Sequence, residues 1–480
     1  MIPRIAPLAI CVVLLFCAQA IQAGTRLEVA PSLTLSEKYS TNVNLDEEDE
    51  QEAWISSVSP GLTFSWLGKR FSSSITYAPS FVYYDHDESN STIRHKGIFN
   101  TQLKPSKYVD VSLRDTFTWT DQALSDQNAT RDGRDGRGIG LIDQETDFED
   151  TYYTNTASAE IDVSPWRSTD FGVSYRNYLR EEREPYVSHT ASGYNEYRFG
   201  AKDKVRAGYS YRQIDSRYEG TDDSQRHSPS LELDYWFTDH VGLENTGSYT
   251  RTTYSGTNGT DQDDFQEVSG SSRLVREFSR HFTGSLVYSH TYHYSDEEGE
   301  GDYHIYNPAV GIDWDITQNS YLRTDVGYFY RDVVDEDESS RDDESGLTAD
   351  GEIGTAWRVK RGSLSLTGST GYDEDYQGAE NLGFSVYYQA EATADYQLTE
   401  HLGLFAGADV RQDDYLDQEP ERTDRRQTYN AGVRYSLTRW LSLSLRNSYR
   451  QLDSDDEERE YKEYRSTLSL SFAPRPYRID

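Results

Sequence analysis

Charged residues recur at even spacings of two, four or six inside stretches that are otherwise largely apolar. DFGVSYRNYLRE carries Arg176 and Arg180, and VRAGYSYRQ carries Arg206 and Arg212. LELDYWF carries Glu232 and Asp234, AVGIDWDI carries Asp313 and Asp315, and AEATADYQL carries Glu391 and Asp395. Asp409 and Arg411 follow, then Arg434, Arg446 and Arg450. On an extended chain, residues two apart point to the same side. Each stretch therefore carries a rank of fixed charge on one face and apolar side chains on the other. Such ranks attract and steer ions and charged solutes; they supply no nucleophile.

Constellations that make or break bonds are weak by comparison. The 10 His are scattered, and His290 and His293, three apart, fall on opposite faces of a strand, which spoils a shared metal site. There is no P-loop, dinucleotide fingerprint or zinc-hydrolase helix motif. Ser and Asp are too abundant for a Ser-His-Asp arrangement to be located, which keeps a hydrolase as a minor alternative. The expectation is no catalytic residue, no metal and no cofactor. Nucleic acid is a poor partner for a chain of net charge -36, because its phosphates call for Lys and Arg.

The elements that hold these ranks must be extended. With 35% hydrophobic residues the chain drifts toward the disordered class, yet 38 Tyr, 17 Phe and 8 Trp are side chains that strands favour. The acidic charge is segregated into runs such as DEEDEQE, SDEEGEGD, VVDEDESSRDDE and DSDDEERE, between aromatic and Gly- or Ser-rich stretches.

The N-terminus suggests the compartment. Arg4 precedes an apolar run from Leu8 to Phe16, and small residues follow at Ala18, Ala20 and Ala23. Residues 1–23 read as a secretory signal cleaved after Ala20 or Ala23. Cys11 and Cys17 both fall inside it, so residues 24–480 would contain no disulfide and no Cys metal site. A membrane role would have to use strands.

Short polar turns flanked by apolar residues recur along the chain: WLGKRF, LKPSKYV, SPWRSTDF, FGAKDKV, WFTDHV, EFSRHF, DITQNSYL, WRVKRGSL, QLTEHL and SLTRWL. Apart from one longer interval, their spacing is about 40 residues, the signature of a repeated supersecondary unit. Each period holds two alternating stretches joined by an acidic loop, which is a hairpin. The alternation persists for about 9 to 13 residues, long enough for a tilted strand to cross a bilayer. A propeller blade would divide the same period into four short strands; a secreted propeller or β-solenoid is the alternative. Ten short turns and eleven longer loops predict an all-β, antiparallel, up-and-down transmembrane barrel of about 22 strands, with both ends on the periplasmic side. Residues 24–480 form this single barrel, with acidic extracellular loops. The closing stretch YRSTLSLSF alternates as a terminal barrel strand does, although APRPYRID follows its Phe472.

These features, with turns of the form LTEHLGL and FTDHVGL, resemble the β-barrel porins found beside exopolysaccharide genes in Gram-negative bacteria. The resemblance implies an outer-membrane protein assisting polysaccharide export. Alternation begins at RLEVAPSLTLSEKYS, directly after the signal, which leaves no room for a plug domain. In a barrel the apolar set meets lipid and the alternate set meets the lumen. The expected pore lining is therefore Arg176, Arg180, Arg206, Arg212, Glu232, Asp234, Asp313, Asp315, Glu391, Asp395, Asp409, Arg411, Arg434 and Arg446, with charges that either face water or pair across the lumen. Residues 121–150, containing NATRDGRDGRGIG, are the candidate constriction loop. Asp115, Asn177, Asn245 and Asn447 fall in the lipid register and are expected near the loop ends of their strands. The expected partners are outer-membrane lipid and lipopolysaccharide, polysaccharide-export machinery and a hydrophilic solute. A structural or adhesive surface barrel without transport is the alternative function.

Overall fold

The recurrent turns are short because a hydroxyl closes them. Ser106, Thr238, Ser279, Thr317, Thr399 and Thr438 each accept the backbone N–H two residues on, at 3.1 to 3.2 Å. This side-chain turn lets an extended chain reverse in a few residues. It is the physical content of the repeats SKYV, TDHV, SRHF, TEHL and TRWL.

The computed structural model describes residues 26–43, 45, 50–85, 91–120, 151–181, 185–217, 223–255, 264–295, 302–334, 344–357, 361–375, 383–416, 422–456 and 459–479. The expected signal at 1–23 and the candidate constriction loop at 121–150 lie outside them. Among the described residues strand segments number 24, all in one antiparallel sheet. Phe71–Tyr77 and Ser80–Tyr84 are two parts of one wall strand, since both pair with Ala53–Leu67 and with Thr92–Ser106. The break falls at Pro79, which has no N–H to give the ladder. Tyr477–Ile479 likewise prolongs Tyr461–Phe472, both pairing with Arg26–Ser40. The result is a closed barrel of 22 wall strands joined by ten short turns and eleven longer connections.

Closure runs from Leu33 opposite Phe472 to Ser40 opposite Arg465. The residues after Phe472 extend this seam, because Tyr477, Arg478 and Ile479 pair with Val29, Glu28 and Leu27 and so cover the start of the first strand. At the other end of this seam Glu463, only 1% exposed, accepts from Ser40 Oγ at 2.6 Å and meets Arg450 and Arg465 at 2.6 and 2.7 Å.

One face of the sheet is apolar and exposed. Near the turns it carries Trp166, Phe199, Phe237, Phe278, Tyr396 and Trp440, and toward the loops Trp119, Tyr294, Tyr330, Tyr388 and Tyr464, all exposed. These are the two aromatic girdles of a membrane-spanning barrel. Tyr388 and Tyr396 share a strand. Eight residues rise about 27 Å along a strand, or roughly 20 Å along the axis at a tilt of about 40°. That suits an apolar band about 25 Å tall rimmed by rings.

Polar residues in the lipid register are satisfied locally. Asn155 Nδ2 donates to Asp115 at 2.9 Å, Ser272 Oγ to Asn245 at 2.8 Å, and Tyr464 Oη to Asn447 at 3.1 Å, while Asn177 lies 3.1 Å from His189 Nδ1. Their expected position needs correction for three of the four. Only Asn177 is clearly nearer the loop end of its strand; Asp115 and Asn447 are near mid-strand, and Asn245 is four residues past the turn-proximal Val241. Hydrogen bonding to a neighbouring strand, rather than proximity to water, makes these side chains tolerable.

Candidate functional site

The opposite face carries the charge ranks. Arg273 and Asp325, three strands apart, meet at 2.7 Å, and Arg411 meets Asp373, two strands away, at 2.6 Å with its guanidinium 4.6 Å from the Tyr387 ring. Side chains converge over such spans on the concave side of a closed sheet, so this is the inner face. Gly311 permits the first of these bridges, because a Cβ there would overlap Asp325 Oδ1 and Ser285 Oγ.

All fourteen residues expected to line a pore sit in described strands, in one alternating register with this face, but they fall into different settings. Lys204 grips Glu232 and Asp234 at 2.5 and 3.3 Å. Arg206 stacks 3.8 Å from the Tyr194 ring, with Glu196 and Glu232 opposite it on either side. The Tyr194 ring lies across Gly172, where any Cβ would collide with it. Arg434 and Arg446 both face the Phe405 ring, at 5.7 and 5.2 Å, and that ring covers Gly432 in the same way. An aromatic resting on a cross-strand glycine pins the register of a large sheet. Arg411 is held by Asp413 as well as Asp373, each at 2.6 Å. Arg180 is 2% exposed and 5.3 Å from the Tyr152 ring, so it is wall structure near the loop end.

Arg176 and Arg212 belong to a line that sequence spacing did not reveal. Arg114, Ser158, Arg176, Thr190, Arg212 and Arg226 stand in direct cross-strand register on six consecutive strands. A second line, Asp313, Arg323, Glu352, Thr367, Glu391 and Asp409, also crosses six consecutive strands. It begins nine strands beyond the first, close to half the circumference. Within it Gln389 Nε2 donates to Asp409 at 3.1 Å, and Arg323 approaches Asp313 at 3.9 Å. Asp315 and Asp395 lie at the turn end of the same wall, opposite Tyr321 and Phe405. The inner face is thus polarised across the barrel, basic on one side and acidic on the other. Arg114 and Arg226 share the alternation parity of the inner face, but each joins the line across a longer connection, which has no turn centre to mark the register.

The two histidines separate as their spacing demands. His290 stacks on His304 and Tyr306 on the outer face, and His293 stacks on Tyr303 and Phe265 on the inner.

Residues 302–473 match the family described as Putative beta-barrel porin 2. The matched stretch is porin-like, and the chain is a β-barrel of the Gram-negative outer membrane. The expected likeness to β-barrel porins is borne out over the matched stretch. The chain has no significant match among curated proteins. Among solved structures it is similar to the siderophore receptor PirA from Acinetobacter baumannii, at 12% identity and a TM-score of 0.54, covering 93% of this chain and 80% of that one. A ferric enterobactin receptor, PfeA, from Pseudomonas aeruginosa is similar at 11% identity and a TM-score of 0.55, covering 94% and 82%. The alcaligin receptor FauA from Bordetella pertussis matches at 8% identity and a TM-score of 0.50, covering 92% and 76%. At these identities the likeness is one of fold.

The alternation of turn and loop lengths predicts the orientation of this outer-membrane barrel. Cysteine placed at Asp223, where a longer connection enters its strand, should react with an impermeant thiol reagent on intact cells. Cysteine at Asp239 or Thr438, in the short turns, should react only after the outer membrane is opened. The reverse pattern would place the loops in the periplasm.

Proposed function

We propose that this barrel is a water-filled channel for a hydrophilic solute, and that it assists passage of a polysaccharide across the outer membrane. The observation that carries the reading is the inner face: a closed wall of 22 strands lined by opposed basic and acidic lines. A barrel of that size is roughly 40 Å across between opposite walls, whereas wall side chains fill an interior of about eight strands. Barrels of this size in outer-membrane transporters hold a plug. Here the described residues from Arg26 onward go into wall strands and their connections, and on the channel reading the lumen they enclose is open to water. On this reading the mature protein is residues 24–480, the chemistry is ion and solute passage rather than catalysis, and the partners are lipopolysaccharide and the export machinery that delivers the polymer.

The test is conductance. Purified protein in planar bilayers should give discrete current steps, enlarged on deleting residues 125–140 if that segment narrows the passage. Correctly folded protein that stays silent in both forms would favour a structural or adhesive surface barrel.

A further inference from the structure

The line Arg114, Ser158, Arg176, Thr190, Arg212 and Arg226 is more than a bias in lumen charge. Strands lie about 4.8 Å apart, so Arg114, Arg176 and Arg212 recur at roughly 10 Å intervals, with a hydroxyl between each pair. Arg226 stands directly opposite Arg212 and thickens the charge at one end. Arg114 and Arg176 are exposed, while Arg212 and Arg226 are half-buried. The positions on either side of the line are mostly hydroxyl-bearing. Ser174 and Ser192 hydrogen-bond to each other at 2.6 Å, Ser188 accepts from Arg212 Nε at 3.4 Å, and Ser228 pairs with Thr250 at 3.2 Å. One carboxylate, Glu160, lies two residues from Ser158 and accepts from Ser112 at 3.5 Å. Tyr178 and Tyr186 close one margin, ring to ring at 5.2 Å.

A site for a small anion would gather its guanidinium groups around a point. This one spreads them along a line across six strands and interleaves them with hydroxyls. Guanidinium groups match carboxylates with paired, charge-assisted hydrogen bonds, and Ser and Thr hydroxyls can both give and accept bonds to sugar hydroxyls. We propose that this line is a binding track for an acidic, carboxylate-bearing linear polysaccharide of the uronate class, lying across the strands on the inner wall. The proposal deepens the channel reading and rests on it for its role in transport, but the track itself can be tested without current.

The probe is a defined oligogalacturonate added to detergent-solubilised protein, with binding followed by calorimetry. The unaltered protein should bind it. The triple variant Arg114→Gln, Arg176→Gln, Arg212→Gln should bind about tenfold more weakly or worse, the loss expected when charged hydrogen bonds are removed. Arg434→Gln with Arg446→Gln, on another wall and stacked on Phe405, should leave binding unchanged. Heat-modifiable gel migration establishes that each variant is a closed barrel; if the triple variant does not fold, Arg176→Lys with Arg212→Lys keeps the charge, loses the paired geometry and should still weaken binding. A neutral maltooligosaccharide, inorganic phosphate and a short single-stranded DNA are the comparison ligands. Equal affinity for any of the three, or unchanged oligogalacturonate binding in the triple variant, would overturn the track. Binding by a protein that conducts no current would retain the track and remove the channel reading; conductance without Arg-dependent binding would do the opposite.

Discussion

Replacing Ala408 by arginine should severely reduce the folded barrel, while replacing Asp409 by arginine, the next residue of the same strand, should leave folding nearly intact. Ala408 is half-buried in the lipid register, opposite Ala392 and Tyr429 and midway between the levels of Tyr396 and Tyr388. An arginine near the middle of the apolar band costs about 2–4 kcal/mol, and substitutions on the lumen side tune selectivity instead. Stability in detergent or lipid, read as the denaturant midpoint of the heat-modifiable band, checks the pair. Equal tolerance of both changes would mean that the apolar face does not meet lipid.

The second large effect is on ion preference. Neutralising Arg176, Arg206 and Arg212 together should shift the reversal potential toward cations, with the cation-to-anion permeability ratio rising roughly threefold or more, since lumen charge sets potentials of several kT. Arg206 contributes because Glu196 and Glu232 flank it across the ladder; without it Glu196 keeps only Arg198 and Glu232 only Lys204, and the local balance turns acidic. Neutralising Glu391 and Asp409 on the opposite wall should shift preference the other way. Both shifts should shrink as salt is raised, because the Debye length falls from about 30 Å at 0.01 M to about 3 Å at 1 M. An unchanged reversal potential in both variants would place the current's path away from these walls.

Much of the barrel was legible because it depends on local chemistry. Alternation at Leu402, Leu404, Ala406, Ala408 and Val410 reports a strand with one apolar face whatever its neighbours are. The hydroxyl-led turns mark reversals by the bonds they make within a few residues. Together they yield strand number and side-chain register. They do not reveal which residues face one another across the longer connections, because the centre of an irregular loop has no local signature. That is why Arg176 and Arg212 were expected on the inner face while Arg114 and Arg226 were missed, and why the bridge from Arg273 to Asp325 was not foreseen. The stacking of Arg206 on Tyr194 and of Arg446 on Phe405 was hidden for a related reason: the inner aromatics look like any strand residue until the glycines opposite them are known.

The seam between the first and last strands has a kinetic meaning. Every other strand pair joins neighbours in the chain and can form as a hairpin on emergence, but the bond from Ser40 to Glu463 spans 423 residues. Loop-closure entropy must be met before such a contact is rewarded, and it grows with the logarithm of the loop. Sealing the cylinder is therefore the late, slow event, and until it happens two long strand edges stand open. Glu463, gripped by Ser40, Arg450 and Arg465, and the tail pairing of Tyr477–Ile479 with Leu27–Val29 act as clasps at the two ends of that line. Loss of either clasp should leave a population of nascent, unsealed sheets whose free edges are open to pairing with other chains.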